Sequence, residues 1–153
     1  DWQRMPGSVV WQAENAGKVY FYGVESSFKT DLSEAGLGVL EYFSIKYSYA
    51  YAFKKDNVAS KYVLNYLSHD LIAGTGFDLG FGIKGELDFS FKKRPGSRGY
   101  YLMDASLYRD MKIGRSNVRL FLNADNILNE EYVETGSVKQ PGLWLKAGAQ
   151  WTF

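Results

Sequence analysis

The chain has 153 residues with 18 basic and 17 acidic side chains, a formal net charge of +1, one histidine and no cysteine. This excludes a disulfide framework, a thiolate metal site, a cysteine nucleophile and a multi-histidine zinc centre. The balanced charge leaves no basic footprint for nucleic acid, and no apolar run approaches the ~18 residues of a spanning helix. Aromatic residues make up 17% of the chain (12 Tyr, 10 Phe, 4 Trp), beside 16 Gly and 3 Pro. With a mean hydropathy of −0.28, this suits a β-protein that hides its polarity by alternation. The chain starts at Asp1 without a signal peptide, and Met5 is followed at once by Pro6 and Gly7. A cut or mature polypeptide is therefore expected, not a complete translation product.

In chain order, a loop at Gln3–Ala16 precedes a first strand near Gly17–Thr30, with Asp1–Trp2 as the tail of a possible eighth strand. After a turn at Asp31–Gly36, Leu37–Phe53 carries Leu37, Val39, Phe43, Ile45, Tyr47, Tyr49, Tyr51 and Phe53 on one face and Ser44, Lys46, Ser48 and Ala50 on the other. A loop at Lys54–Tyr66 leads to Leu67–Leu79. The turn Gly80–Gly82 leads to Ile83–Phe91, where Ile83, Gly85, Leu87, Phe89 and Phe91 alternate with Lys84, Glu86, Asp88 and Ser90. After a loop at Lys92–Gly99 come Tyr100–Ile113, a turn at Gly114–Asn117, Val118–Asn126, a loop at Ile127–Gly142 and a last strand at Leu143–Phe153. This period of two predicts seven strands.

Strand length and connection length both point the same way. Soluble strands average ~5–6 residues, and crossing a bilayer as a tilted strand takes ~9–11; several of these segments are that long or longer. Long and short connections alternate, as in outer-membrane barrels with short periplasmic turns and longer outer loops. The expected fold is all-β: an antiparallel up-and-down transmembrane β-barrel segment. Tyr20, Tyr22, Val24, Ser26 and Phe28 would face lipid, with aromatics at the rims. Arg109 falls on the same face near the periplasmic end, where it can snorkel. The phase that turns Phe43 and Ile45 to lipid would also expose Glu41, unless a bulge or a slipped phase intervenes.

No catalytic set emerges. Ser68, His69 and Asp70 are consecutive on a strand and point alternately, so they cannot form a triad. Glu86, Asp88, Asp104 and Asp110 read as a solvated polar lining, balanced by Lys84 and Arg119. Gly74, Gly76, Gly80 and Gly82 are followed by no helix to cradle phosphate. We expect no enzyme activity, no metal and no cofactor. Trp11, Gln12, Asn15, Tyr62, Asn65, Tyr66, Arg94, Arg98 and Tyr132 are the loop residues best suited to touch a ligand outside. Lys92, Lys93, Arg94 and Arg98 could bind anionic lipid headgroups.

The last eight residues, Lys146-Ala-Gly-Ala-Gln-Trp-Thr-Phe153, resemble the C-terminal signal read by the barrel-assembly machinery, with Lys146, Gly148, Trp151 and Phe153 at its marked positions. Upstream, Leu122-Asn-Ala-Asp-Asn-Ile-Leu-Asn-Glu-Glu-Tyr132, Gly136 and Gln140-Pro-Gly142 resemble the end of TonB-dependent outer-membrane receptors. Near the start, Trp11-Gln-Ala-Glu-Asn15 and Tyr22-Gly-Val-Glu25 look like a hairpin of the same family. Leu143 departs from it, standing where arginine is common.

The resemblance implies that residues 1–153 are about seven C-terminal strands of a roughly 22-stranded barrel, without its plug domain. It implies an active transporter for a scarce large solute (iron–siderophore, cobalamin or glycan) in the outer membrane of a Gram-negative bacterium. Its partners would be the rest of the receptor, the barrel-assembly machinery, TonB acting through the missing plug, lipid and lipopolysaccharide, and a surface lipoprotein. The alternative is an autonomous eight-stranded outer-membrane barrel with a structural or adhesive role.

Overall fold

The computed structural model describes residues 2–4, 7–13, 18–54, 59–60, 65–134 and 138–153. Its strands are β1 (Trp2–Arg4), β2 (Gln12–Ala13), β3 (Val19–Asp31), β4 (Leu40–Lys54), β5 (Ala59–Ser60), β6 (His69–Gly80), β7 (Ile83–Lys93), β8 (Tyr100–Ile113), β9 (Ser116–Asp125) and β10 (Trp144–Thr152). No helix occurs among the described residues. Seven strands form one antiparallel up-and-down sheet in the order β10-β9-β8-β7-β6-β4-β3, and β1, β2 and β5 form a separate small one. The large sheet is open, with β3 and β10 as its edges.

Register turns the alternation into two faces. Val24, Tyr49, His69 and Lys93 follow one another across β3, β4, β6 and β7, as do Phe28, Ile45, Ala73, Phe89 and Met103 from β3 to β8. The same face continues through Leu107, Leu122 and Ala147 on β8, β9 and β10. On the opposite face stand Glu25, Asp31, Asp70, Asp78, Glu86, Asp88, Asp104, Asp110 and Asp125, by the same pairings.

Glu41 joins them through a break in register. Between Leu40 and Tyr42 the β4–β6 ladder shifts by one residue, so Glu41 and Tyr42 together oppose one residue, as in a bulge. This swings Glu41 to the polar face, where its carboxylate pairs with Lys84. Every carboxylate on the seven strands thus lies on one side.

Among the described residues no covering layer packs on the apolar face. The buried apolar side chains among them are Tyr100, Leu102 and Val118, and none of the described side chains is fully enclosed. Val24, Phe28, Leu145 and Trp151 on the apolar face each expose more than half their area. Covering a large side chain that is half exposed contributes roughly 1 kcal/mol. Over a whole sheet face that approaches the ~5–15 kcal/mol net stability of an ordinary domain, so this face requires a partner.

Three expectations need correction. Trp2 does not extend an eighth strand: Trp2–Arg4 pairs with Gln12–Ala13 and Ala59–Ser60 in the small sheet, and Asp1 lies outside the described residues. Gln3–Ala16 and Lys54–Tyr66 are correspondingly not pure loops. Nor do long and short connections alternate throughout. Residues 81–82 and 114–115 are tight turns and 126–143 is long, but 32–39 is longer than 94–99. Gly36 and Gly38, at φ 68° and 71°, hold the chain out of extended geometry until Leu40, while β7 runs on to Lys93 because Lys92 pairs with both Asp70 and Tyr100. The 81–82 turn has positive φ at Phe81 (55°) and Gly82 (73°), the type I′ signature that suits a twisted hairpin.

Large side chains lie over glycines on neighbouring strands. A Cβ on Gly76 would stand 2.2 Å from Tyr42 Cε1, so the ring needs that glycine. Gly76→Ala is expected to cost about 1–3 kcal/mol through overpacking. Combined with Tyr42→Ala, most of that penalty should vanish; additive losses in a denaturant-unfolding double-mutant cycle would contradict this packing.

Candidate functional site

Tyr100 and Leu102, at the start of β8, are 6% and 8% exposed on the polar face. They are covered where the 126–143 connection folds back: Tyr132 stacks on Tyr100 at 4.7 Å and 26°. Arg94, on the adjoining turn, donates from Nη1 to the Tyr100 hydroxyl at 3.4 Å. Two of the predicted loop residues, Arg94 and Tyr132, therefore meet on one strand residue.

Asn126 fixes this loop. It is 3% exposed and sits in the left-handed region at φ 51°, which asparagine tolerates better than most residues. Its backbone N–H donates to Asp104 Oδ1 at 2.7 Å, and Nδ2 donates to the carbonyls of Glu130 (3.0 Å) and Pro141 (3.2 Å). Its Oδ1 accepts from the Glu130 N–H at 3.0 Å. Asn129 repeats the device, its Oδ1 accepting from Leu143 N–H at 3.0 Å. A Cβ on Gly142 would lie 2.3 Å from that oxygen, so packing requires the glycine there.

Under this loop lies a concavity of about 350 Å³, lined by Leu102, Asp104, Asp125, Tyr132, Pro141 and Trp144 among others. Lys146 pairs with Asp125 and lies 5.1 Å from the centre of the Trp144 ring. Burial, then the charge of Glu134, pushes the Tyr132 phenol above its ordinary value. Nearby, the Lys139 ammonium bonded to Glu131 holds that carboxyl below its ordinary value. The concavity thus sets carboxylate acceptors beside aromatic rings and one phenolic donor.

The other predicted loop residues stand elsewhere. Tyr66 turns back onto the polar face, its hydroxyl accepting from Ala52 N–H at 2.8 Å and its ring edge-on to Phe21 at 5.6 Å. Trp11 lies beneath Arg4 at 5.4 Å, and Gln12 pairs with Gln3 in the small sheet. Asn65 and Arg98 are exposed, while Asn15 and Tyr62 lie outside the described residues. The candidates form separate groups, not one site. Sequence reasoning missed Tyr100, Asn126 and Trp144 as site residues; the Asn126–Tyr132 run was the available signal.

Farther along the polar face, Glu25–Lys46 and Glu41–Lys84 are ion pairs. Arg119 grips Asp110 with two bonds of 2.7 Å and covers the Tyr108 ring at 4.5 Å. His69 and Asp70 point to opposite faces. Of the C-terminal positions, Lys146 and Gly148 lie on the polar face, and a Cβ on Gly148 would stand 2.5 Å from the Phe121 ring. Trp151, opposite Val118, is on the apolar face, and Phe153 is 99% exposed beyond the edge strand. No family model, curated protein or solved structure matches this chain.

Asn126→Ala removes the side-chain bonds and favours right-handed φ, for an expected loss of roughly 2–4 kcal/mol. Hydrogen exchange should speed up through residues 126–143 and leave β6 and β7 protected. Uniform loosening of the sheet would refute this local role.

Proposed function

We propose that this chain is the C-terminal wall of an outer-membrane β-barrel of the TonB-dependent receptor type, with its apolar face to lipid and its polar face to the lumen. The carrying observation is the partition of charge: every strand carboxylate stands on one face, and the other is an uncovered apolar surface. A soluble sandwich would cover that face with a second sheet; hydrocarbon covers it without one.

Further support comes from strand lengths that suffice for a bilayer and from aromatic rims. Tyr20, Tyr22, Tyr49 and Tyr51 stand towards one end of the apolar face and Phe28 and Trp151 towards the other, as in aromatic girdles. The open edges β3 and β10 would pair with the remaining strands, and the exposed Phe153 terminus fits the assembly signal. Uptake of a scarce large solute (iron–siderophore, cobalamin or glycan) is then the work of the complete receptor. An inner-membrane energy source would act through a plug seated against the polar face. This wall contributes lumen lining and outer loops.

The test is fractionation of cell envelopes containing the protein, with peptide mapping of everything that copurifies. Recovery with the outer membrane, in a longer polypeptide whose sequence runs up to Asp1, is the expected result. A lone 17.4 kDa species folded in detergent would replace this reading with the small barrel. Recovery as a soluble protein would overturn the membrane assignment altogether.

A further inference from the structure

The apolar face is interrupted by few ionisable groups besides tyrosine. Among the described strand residues these are Arg109 towards the 114–115 turn, and His69 with Lys93 at the opposite end. None of the three is an acid. His69 and Lys93 are direct partners in the β6–β7 ladder. Two β4 tyrosines fix the imidazole: Tyr47 Oη is 2.8 Å from Nδ1, and the Tyr49 ring centre is 5.2 Å away. When Tyr47 donates to Nδ1, the ring proton sits on Nε2, a donor on the same face as Lys93. Arg98 is exposed in the turn that follows.

Below this pair, β6 presents smaller side chains than its neighbours. Leu71, Ala73 and Thr75 lie between Tyr47, Ile45 and Phe43 on β4 and Phe91, Phe89 and Leu87 on β7. Strand side chains stand roughly perpendicular to the sheet, so this difference in height makes a trough along β6. From His69 to Thr75 it runs roughly 20 Å at strand rise, longer than the ~15 Å half-thickness of a bilayer's hydrocarbon core. The Lys93 ammonium and an imidazole donor, with no acid on their face, head a groove of acyl length.

We propose that this trough seats one acyl chain of a phosphate-bearing lipid, with the phosphate held by His69 and Lys93. The inference rests on the membrane-wall reading and goes beyond it, because an ordinary lipid-facing wall has no preferred headgroup. Charge complementarity selects the occupant. A zwitterionic headgroup would bring a second cation against Lys93, whereas an anionic phosphodiester brings only the charge that the site lacks.

The test uses the polypeptide that carries this chain, as purified from the envelope, in three steps. Flotation with neutral phosphatidylcholine vesicles comes first; failure to float overturns the wall reading and this inference with it. Native mass spectrometry then follows lipid retained from an equimolar phosphatidylcholine–phosphatidylglycerol bilayer. Phosphatidylglycerol should be retained in at least about fivefold preference, the worth of one cation near an anionic surface. His69→Gln with Lys93→Gln should abolish the preference, Arg109→Gln should keep it, and Ala73→Phe should reduce retention of both lipids. Flotation without preference, or a preference that survives the double substitution, refutes the site and leaves the wall reading standing. In the third step, excess inorganic phosphate should not displace the lipid. Displacement would make this a free-phosphate site and refute the acyl seat.

Discussion

A sheet one layer thick has no interior, so each of its faces must find a partner outside itself. Everything else in this molecule follows from that constraint. A period-two pattern sorts side chains so completely that a one-residue slip of β7 would exchange its faces and place Glu86 and Asp88 among exposed aromatics. That makes register the quantity that the chain protects most strongly. The bulge at Glu41 is the informative exception. Strict alternation would have placed a carboxylate beside Phe43 and Ile45; the extra residue turns it to Lys84 and lets alternation resume unchanged from Phe43 onward.

What holds the sheet together is modest and distributed. The polar-face ion pairs are open to solvent, with Arg119 and Asp110 about half exposed, and such pairs contribute ~0–1 kcal/mol each. Cross-strand ladders and rings seated over glycines contribute more, as Tyr42 does over Gly76 and Phe121 over Gly148. At the Tyr100–Tyr132 stack a loop supplies a second layer over the sheet. That loop depends in turn on Asn126 and Asn129, whose side chains meet backbone groups that no strand can satisfy.

The strands and their facing were legible in the sequence because periodicity is a local property: the seven strands and the side taken by Glu86, Asp88, Asp104 and Asp110 needed no tertiary information. Connection lengths were less legible, since Gly36 and Gly38 delay β4 through backbone conformation that composition does not announce. The site was least legible. Tyr66 and Tyr132 look like outward loop aromatics until Phe21 and Tyr100 draw them back over the polar face. Trp2 looks like the tail of a strand until Gln12–Ala13 and Ala59–Ser60 offer it a nearer partner. In each case the deciding contact joins segments remote in sequence, beyond the reach of any pattern read along the chain.

The two faces also differ in what they can let go. On the proposed reading the apolar face gains from permanent burial, and among the described strand residues little opposes it except Lys93 and Arg109 towards its ends. The polar face is the reverse. Its ammonium, guanidinium and carboxylate groups are accessible to solvent and weakly paired, so an ionic or polar body resting there can exchange bonds with them at little net cost in either direction. On the proposed reading this is the property that a transporter wall needs: it must hold its place in the membrane firmly while releasing, under a modest pull, whatever occupies its lumen. A lumen lined by apolar side chains would bind an occluding domain too well to give it up, and one lined by a single sign of charge would bind it too selectively. Mixed, exposed, mutually compensated charges avoid both, and the pairs Glu25–Lys46, Glu41–Lys84, Asp110–Arg119 and Asp125–Lys146 set that mixture across the sheet from β3 to β10.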